Sequence, residues 1–332
     1  MSQSAASPLA GIDPQLAADL DSALIDVEAR LREAVKSDYP FVTETSRHLV
    51  DAGGKRFRPL LVLLAAHCGD ATEPRVREAA VVVELTHLAT LYHDDVMDEA
   101  PRRRGTESAN HRWDNTVAIL TGDFLFAKAS DILADLGPEA VRIQARTFER
   151  LCTGQIRETV GPQPGEDPVD HHLQVLADKT ASLIATSGRF GAMMSGASDD
   201  VVEIMAQFGE RIGVAFQLAD DLLDIDSDSE VSGKTAGTDL REGIRTLPVL
   251  LALAGDDPAD ARLRELLADA IDDDALHAEA LMLLRAHPAM SQARDVARRW
   301  ADDARACLEP LPQGSVRAAL EALCDSVVSR VA

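Results

Sequence analysis

The sequence predicts an all-α fold. Apolar residues recur at helical spacing in nearly every long segment, Ala, Leu, Arg and Glu dominate, and no strand-turn-strand pattern stands out. The first helical stretch carries Leu16, Leu20, Leu24, Val27 and Leu31 on one face, and a chain break follows at Gly53-Gly54. An apolar run from Leu60 to Ala66 reaches the next break at Gly69-Asp70. The segment after it runs through Val81-Val82-Val83 to Ala100-Pro101, and its successor ends at Gly137-Pro138. The clearest loop is Gly161 to Pro168. Beyond it, a break at Gly196 precedes Val202, Met205, Phe208, Ile212 and Phe216, again at helical spacing, and further breaks fall at Ser232-Gly233 and Gly255 to Pro258. These limits leave helices of roughly 12 to 25 residues. None of the loops is long enough to be a domain linker and composition is even along the chain. A single domain over residues 1–332 is therefore expected, with a flexible start over 1–12.

With 46% apolar residues among 332, the chain has material for a large core. A net charge of −23 argues against nucleic-acid binding, which needs a basic face, and against docking on anionic lipid by charge alone. The four Cys (Cys68, Cys152, Cys307, Cys324) are scattered and form no zinc or redox pair. The start of the sequence lacks a basic, then apolar leader pattern, and no apolar run approaches a bilayer span, so a cytoplasmic protein without a membrane span is expected.

Two acidic segments carry the chemistry: Asp94-Asp95-Val96-Met97-Asp98 and Asp220-Asp221-Leu222-Leu223-Asp224. In a helix, residues four apart share a face, which pairs Asp94 with Asp98 and Asp220 with Asp224. The spacing alone also describes a solvated acidic face. A third copy at Asp256-Asp257-Pro258-Ala259-Asp260 shows this, since Gly255 and Pro258 put it in a loop or at a helix start. The other two copies follow long apolar stretches, where clustered acids need a counter-cation. Magnesium, a hard ion commonly shared between a few carboxylates and substrate phosphates, fits best, and calcium fits less well without a glycine-bearing loop of spaced acids.

Cations complement those acids. Gly53-Gly54-Lys55-Arg56-Phe57-Arg58-Pro59 sets three cations at the entrance to an apolar helix and reads as a diphosphate cradle. Arg102-Arg103-Arg104-Gly105 lies just beyond the first acidic segment. Only five basic residues are Lys, which draws notice to Lys179-Thr180 in an apolar stretch and to Lys234 after Gly233.

Taken in order, Gly-Gly-Lys-Arg-Phe-Arg-Pro, Asp-Asp-Val-Met-Asp with Arg-Arg-Gly, Lys-Thr, Gln-Leu-Ala-Asp-Asp-Leu-Leu-Asp and Gly-Lys-Thr-Ala-Gly-Thr-Asp-Leu resemble the trans-isoprenyl diphosphate synthases, the polyprenyl synthetase family, over roughly residues 50 to 250. The resemblance implies an antiparallel helical bundle around a deep central cavity, a homodimer, and condensation of isopentenyl diphosphate with an allylic diphosphate. By that likeness Lys55, Arg58, His87 and Arg104 serve isopentenyl diphosphate. Arg103, Lys179, Thr180, Gln217 and Lys234 serve the allylic diphosphate. Asp94, Asp98, Asp220, Asp221 and Asp224 hold magnesium, three ions in all, with Asp95 beside them in the catalytic set. The leaving diphosphate takes the proton, so no side-chain base is needed, and the oxygen dipoles of Thr180 and Gln217 face the allylic cation. His87 without that context reads as a buried structural histidine.

The face running back from Asp94 carries Thr90, Ala89 and Thr86, all small. In the family, bulky residues there stop chain growth early, so a product of about six or more isoprene units is expected, with geranylgeranyl diphosphate as the alternative. Small residues at those positions also permit close helix packing, and the sequence does not place deeper floor residues around Leu120 or Phe124 on the next helix. A terpene cyclase would carry a different second metal motif. A non-catalytic partner subunit would carry degraded motifs, and none here is degraded. No chemistry is assigned after about residue 255.

Overall fold

The computed structural model describes residues 12–226 and 236–330. Lys234 and most of the expected flexible start lie outside the described residues. The architecture is all-α. Pro at the first turn starts α1 (Pro14–Ala34), α2 (Pro40–Asp51) and α4 (Pro74–Met97), where its missing N–H costs nothing, and Asp13 caps α1 by accepting from Gln15 and Leu16 N–H. Between α2 and α4 lies α3 (Phe57–Ala66). A short α5 (Ala109–Arg112) leads into α6 (Asn115–Leu136) and α7 (Pro138–Val160). Next come α8 (Pro168–Leu176), a π turn (Ala177–Ala181) and α9 (Ser182–Met194), running on without a break, followed by α10 (Asp199–Asp226). The chain closes with α11 (Thr238–Glu242), α12 (Leu247–Ala254), α13 (Ala261–Leu266), α14 (Asp274–Ala286), α15 (Pro288–Cys307) and α16 (Ser315–Ser329).

Within the described residues the glycine and proline breaks fall between these helices as expected, and the one expected at Ser232-Gly233 lies outside them. Lengths scatter more widely, from 28 residues in α10 down to four in α5. The expectation of no strand needs one correction. Arg102–Arg103 and Thr106–Glu107 pair antiparallel as β1 and β2 around Arg104-Gly105, both at positive φ, the backbone a tight two-residue hairpin turn requires. The third acidic copy is a helix start: Asp257 caps a 3-10 turn through Ala259 N–H, and Asp260 pairs with His287 at 3.0 Å.

Two compact units divide the described residues. The first takes those within Met1–Glu149, Leu183–Gly209 and Pro310–Ala322, the second those within Arg150–Ser182, Glu210–Glu309 and Leu323–Ala332. In the first, the α3 run Leu60–Ala66 and Ala79–Val83 of α4 are buried, and each fully buried Leu or Val contributes about 1.5–3 kcal/mol. Glycines bring helices close: a Cβ on Gly122 of α6 would lie 3.1 Å from the Ala89 carbonyl oxygen of α4 and closer still to the His93 ring. In the second, α12 packs on α15, whose Ala293, Ala297, Ala301 and Ala304 form a buried small-residue stripe. No helix among the described residues is long and apolar enough to cross a membrane.

Candidate active site

The first half-site is built on the C-terminal end of α4. Asp94 and Asp95 occupy its last turn, and Asp98 follows as the C-terminal cap, its N–H donating to Asp94 O at 2.8 Å. Asp98 is exposed and Asp95 fully buried. The β1–β2 hairpin delivers Arg103 to this point: its Nε donates to Asp95 Oδ1 at 2.5 Å and its Nη2 lies 3.9 Å from Asp98 Oδ2. Burial pushes the Asp95 carboxyl up, with Arg103 pulling against it. The other Asp95 oxygen, Oδ2, is buried with no hydrogen-bond partner.

Behind these acids stands a guanidinium cluster whose buried counter-ion, Glu84, was not singled out from the sequence. Arg56, one of the three cations expected in the diphosphate cradle, instead turns inward. Its Nη1 donates to Glu84 Oε1 at 2.7 Å, its Nη2 to Val50 O at 2.9 Å, and its Nε to Glu28. It is 5% exposed, so its role is structural, and its left-handed backbone (φ 48) sets the entry into α3. Lys55 is exposed and Arg58 half-buried, and Arg58 Nε is a buried donor without a partner. Burial lowers the Arg58 pKa to about 10, although the negative charges of Glu84 and Asp94 oppose it. Arg104 donates to Leu49 O at 3.2 Å and to Gly53 O, and lies 3.4 Å from Glu84. Gly54, at φ 140, leaves the room it needs, since a Cβ there would fall 2.9 Å from Arg104 Cζ. His87 is held well below its usual range by burial and then by Arg58 and Arg104, so its imidazole is neutral. A buried donor without a partner among crowded positive charges is chemically suited to an anion.

On the same α4 face Thr86 and Ala89 are fully buried and Thr90 is half-buried. Thr86 accepts from Gln144 Nε2 at 2.8 Å, and Thr90 donates to His87 O at 2.8 Å. Leu120 is 60% exposed and therefore floors no cavity within this unit.

The second half-site gathers around the end of α10. Thr180 Oγ1 donates to Gln217 Oε1 at 3.3 Å, and Gln217 Nε2 donates to Asp221 Oδ1 at 3.0 Å. Asp221 Oδ2 is buried without a hydrogen bond, 3.5 Å from the His172 ring nitrogen. Lys179 extends from the π turn to Glu158. Asp220 Oδ1 accepts from Arg330 at 2.5 Å, and the Arg330 guanidinium lies 4.9 Å from the centre of the Phe216 ring. Asp224 takes Thr238 N–H on one oxygen at 3.3 Å and Asp239 N–H on the other at 3.1 Å, fixing the start of α11. Burial, followed by the charges of Asp224 and Asp221, pushes the Asp239 carboxyl up to about 8.

Sequence reasoning missed Glu84, Asp239 and Arg330. Asp239 alone had a signal, since it stands in the Gly-Thr-Asp-Leu stretch beside Lys234. Among the described residues no group of three or more His, Cys, Asp or Glu side chains forms a ready-made metal cage. The donors nevertheless suit a hard divalent ion that brings its own phosphate and water ligands: Asp95 Oδ2 and Asp221 Oδ2 lack hydrogen-bond partners, and burial, with the Asp224 and Asp221 charges, raises the Asp239 carboxyl.

The chain is similar to known proteins along most of its length. The model of the polyprenyl synthetase family matches residues 39–284. A nonaprenyl diphosphate synthase of Mycobacterium tuberculosis is 52% identical over 308 residues, covering 92% of this chain and 90% of that protein. A dimethylallyltranstransferase of the same organism is 43% identical, covering 96% and 97%. The crystal structure of a geranylgeranyl pyrophosphate synthase from Corynebacterium glutamicum, complexed with calcium and isoprenyl diphosphate, superposes with a TM-score of 0.87 at 45% identity, covering 96% of this chain and 98% of that one.

Proposed function

Because the chain belongs to the polyprenyl synthetase family, we propose that it is a transferase joining isopentenyl diphosphate to an allylic diphosphate to build an all-trans polyprenyl diphosphate of about six or more isoprene units. The observation that carries this reading is a set of buried polar atoms without hydrogen-bond partners: Asp95 Oδ2 and Arg58 Nε in one half-site, Asp221 Oδ2 in the other. Such a set suits a cation and a diphosphate together. The whole chain is read as one catalytic domain, with both half-sites acting in one reaction.

Magnesium is the proposed ion, held by Asp94 and Asp98 and by Asp220, Asp221 and Asp224, three ions in all. When bound it neutralises the charge that builds on the departing diphosphate oxygens. The chain's own residues do the rest. Arg58, Arg104 and Lys55 bind the isopentenyl diphosphate, and His87, kept neutral, offers a donor without adding charge. Arg103 and Lys179, both already paired with acids, exchange those partners for the allylic diphosphate, joined by Lys234. Gln217, fixed through Asp221, turns Thr180 and its own amide oxygen toward developing positive charge at the allylic carbon. The departing diphosphate takes the proton lost from the new chain, so the protein need only exclude water.

Product length rests on the small residues Thr86, Ala89 and Thr90 and on similarity to the nonaprenyl diphosphate synthase. Similarity to the geranylgeranyl pyrophosphate synthase structure favours the shorter alternative. A homodimer is supported by exposed apolar Ile119 and Leu120 on α6 and Val141 on α7, beside a groove of about 430 Å³ lined by Phe126 and Phe148. A cytoplasmic site of action suits two water-soluble diphosphate substrates. The test is incubation of purified protein with Mg²⁺, labelled isopentenyl diphosphate and primers of several lengths, followed by product sizing. Chains of 30 or more carbons are expected; elongation stopping at 20 carbons would select the alternative, and none at all would reject the enzyme.

A further inference from the structure

We infer that one face of α7, formed by Arg150, Gly154 and Glu158, is the template that shapes the π turn and so positions Lys179 and Thr180 for the allylic diphosphate. The inference rests on the reading of those two residues given above. Residues spaced by four lie on one helix face, and these three reach the π turn at successive points along about 12 Å of helix.

Arg150 holds the start of the turn. Its Nε donates to Asp178 Oδ1 at 2.8 Å and its Nη2 to Ala177 O at 3.1 Å, while Nη1 and Nη2 grip Glu210 at 3.0 and 2.5 Å. Asp178 is buried, and its second oxygen accepts from Gln174 at 2.9 Å, so the carboxylate has no freedom to follow a different backbone. Gly154 sets the middle. A Cβ at that position would lie 2.5 Å from Lys179 N and 3.0 Å from Asp178 C, so the two backbones meet at a distance that only glycine permits. Glu158 orients the Lys179 side chain, accepting from its Nζ until the allylic diphosphate takes its place.

A π turn is one residue wider than an α turn, closed here by Ser182 N–H donating to Ala177 O. Relaxing it to regular α-helix would rotate every following side chain by about 100°. Thr180 would then lose Gln217, and Lys179 would swing away from Glu158. The extra residue is thus held in place by three contacts from α7, none of which touches substrate. Arg150, Gly154 and Glu158 are positioning residues.

The test compares Gly154→Ala and Arg150→Gln with Lys179→Ala, alone and combined, in the full-length protein with Mg²⁺. Each variant is assayed for KM of both substrates and for inhibition by inorganic pyrophosphate. Gly154→Ala is expected to raise the allylic KM and the pyrophosphate Ki on the order of tenfold, leaving the isopentenyl diphosphate KM within about twofold. In the Lys179→Ala background it should add less than about twofold, because the group it positions is gone. Arg150→Gln gives the same comparison should Gly154→Ala fail to fold. Equal losses for both substrates, or effects that multiply with Lys179→Ala, would overturn the inference in favour of a general structural role. A normal allylic KM in Lys179→Ala would reject the reading of Lys179, and the inference with it. A raised KM there beside a normal one in both positioning variants would overturn the inference alone.

Discussion

Arg330 donates to Asp220 Oδ1 at 2.5 Å, so the first carboxylate of the second acidic segment already carries a cation supplied by the end of the chain. The same guanidinium lies over the Phe216 ring at 4.9 Å. With both partners of the ion pair partly exposed, it and the ring contact together are worth about 1 kcal/mol. Replacing Arg330 by Gln removes the competitor. The Mg²⁺ concentration for half-maximal activity should fall about fivefold, read from a metal titration of the rate; an unchanged midpoint would show that Asp220 does not bind the ion.

Asp239 gives a pH dependence with a definite sign. Its carboxyl ionises near 3.8 in the unfolded chain and at about 8 in the folded one, so between those values the native state holds the extra proton and stability falls as pH rises. Asp239→Asn should match the wild type near pH 4 and melt clearly higher near pH 8, by several kcal/mol at about 1.4 kcal/mol for each pH unit between the two values. Mg²⁺ should narrow the gap at pH 8. Thermal melts at both pH values, with and without the ion, provide the check.

Two arginines only two residues apart should fail differently. Arg56→Met strips Glu84 and Glu28 of a buried partner, and the expected loss of stability is about 3 kcal/mol, with Arg104 left to shield Glu84. Arg58→Met leaves no acid unpaired and should melt normally while raising the isopentenyl diphosphate KM at least about tenfold. Denaturant curves and substrate kinetics on the two variants separate the roles.

Product length offers a third kind of readout. Ala89 is fully buried, so Phe there would overpack the core at a cost of about 1–3 kcal/mol, whereas half-buried Thr90 has room. Thr90→Phe should shorten the product by one or more units with little change in melting temperature. Chromatography of the extracted products decides it, and a product of unchanged length would remove the α4 face from the length-setting machinery.

Much of this molecule is legible in its sequence because its helices are punctuated by glycine and proline, whose backbone demands are local. The end of α4, and with it the first aspartate segment, follows from the Ala100-Pro101 break. What was not legible depends on partners distant in sequence. Arg56 and Arg58 look alike in Gly-Gly-Lys-Arg-Phe-Arg-Pro, and only Glu28 and Glu84 decide that the first turns inward. Arg330 reaches Asp220 across 110 residues, and no periodicity records such a contact. The π turn is equally hidden, since Ala177–Ala181 contains no residue that excludes ordinary helix.

Gly53 and Gly54 stand side by side for different reasons, and a library of random codons at both would tell them apart. Position 53, at φ 83 with open space around it, asks only for a left-handed backbone, so Asn and Asp should survive selection there. Position 54 combines φ 140 with the Arg104 guanidinium lying where a side chain would begin, and should return glycine alone.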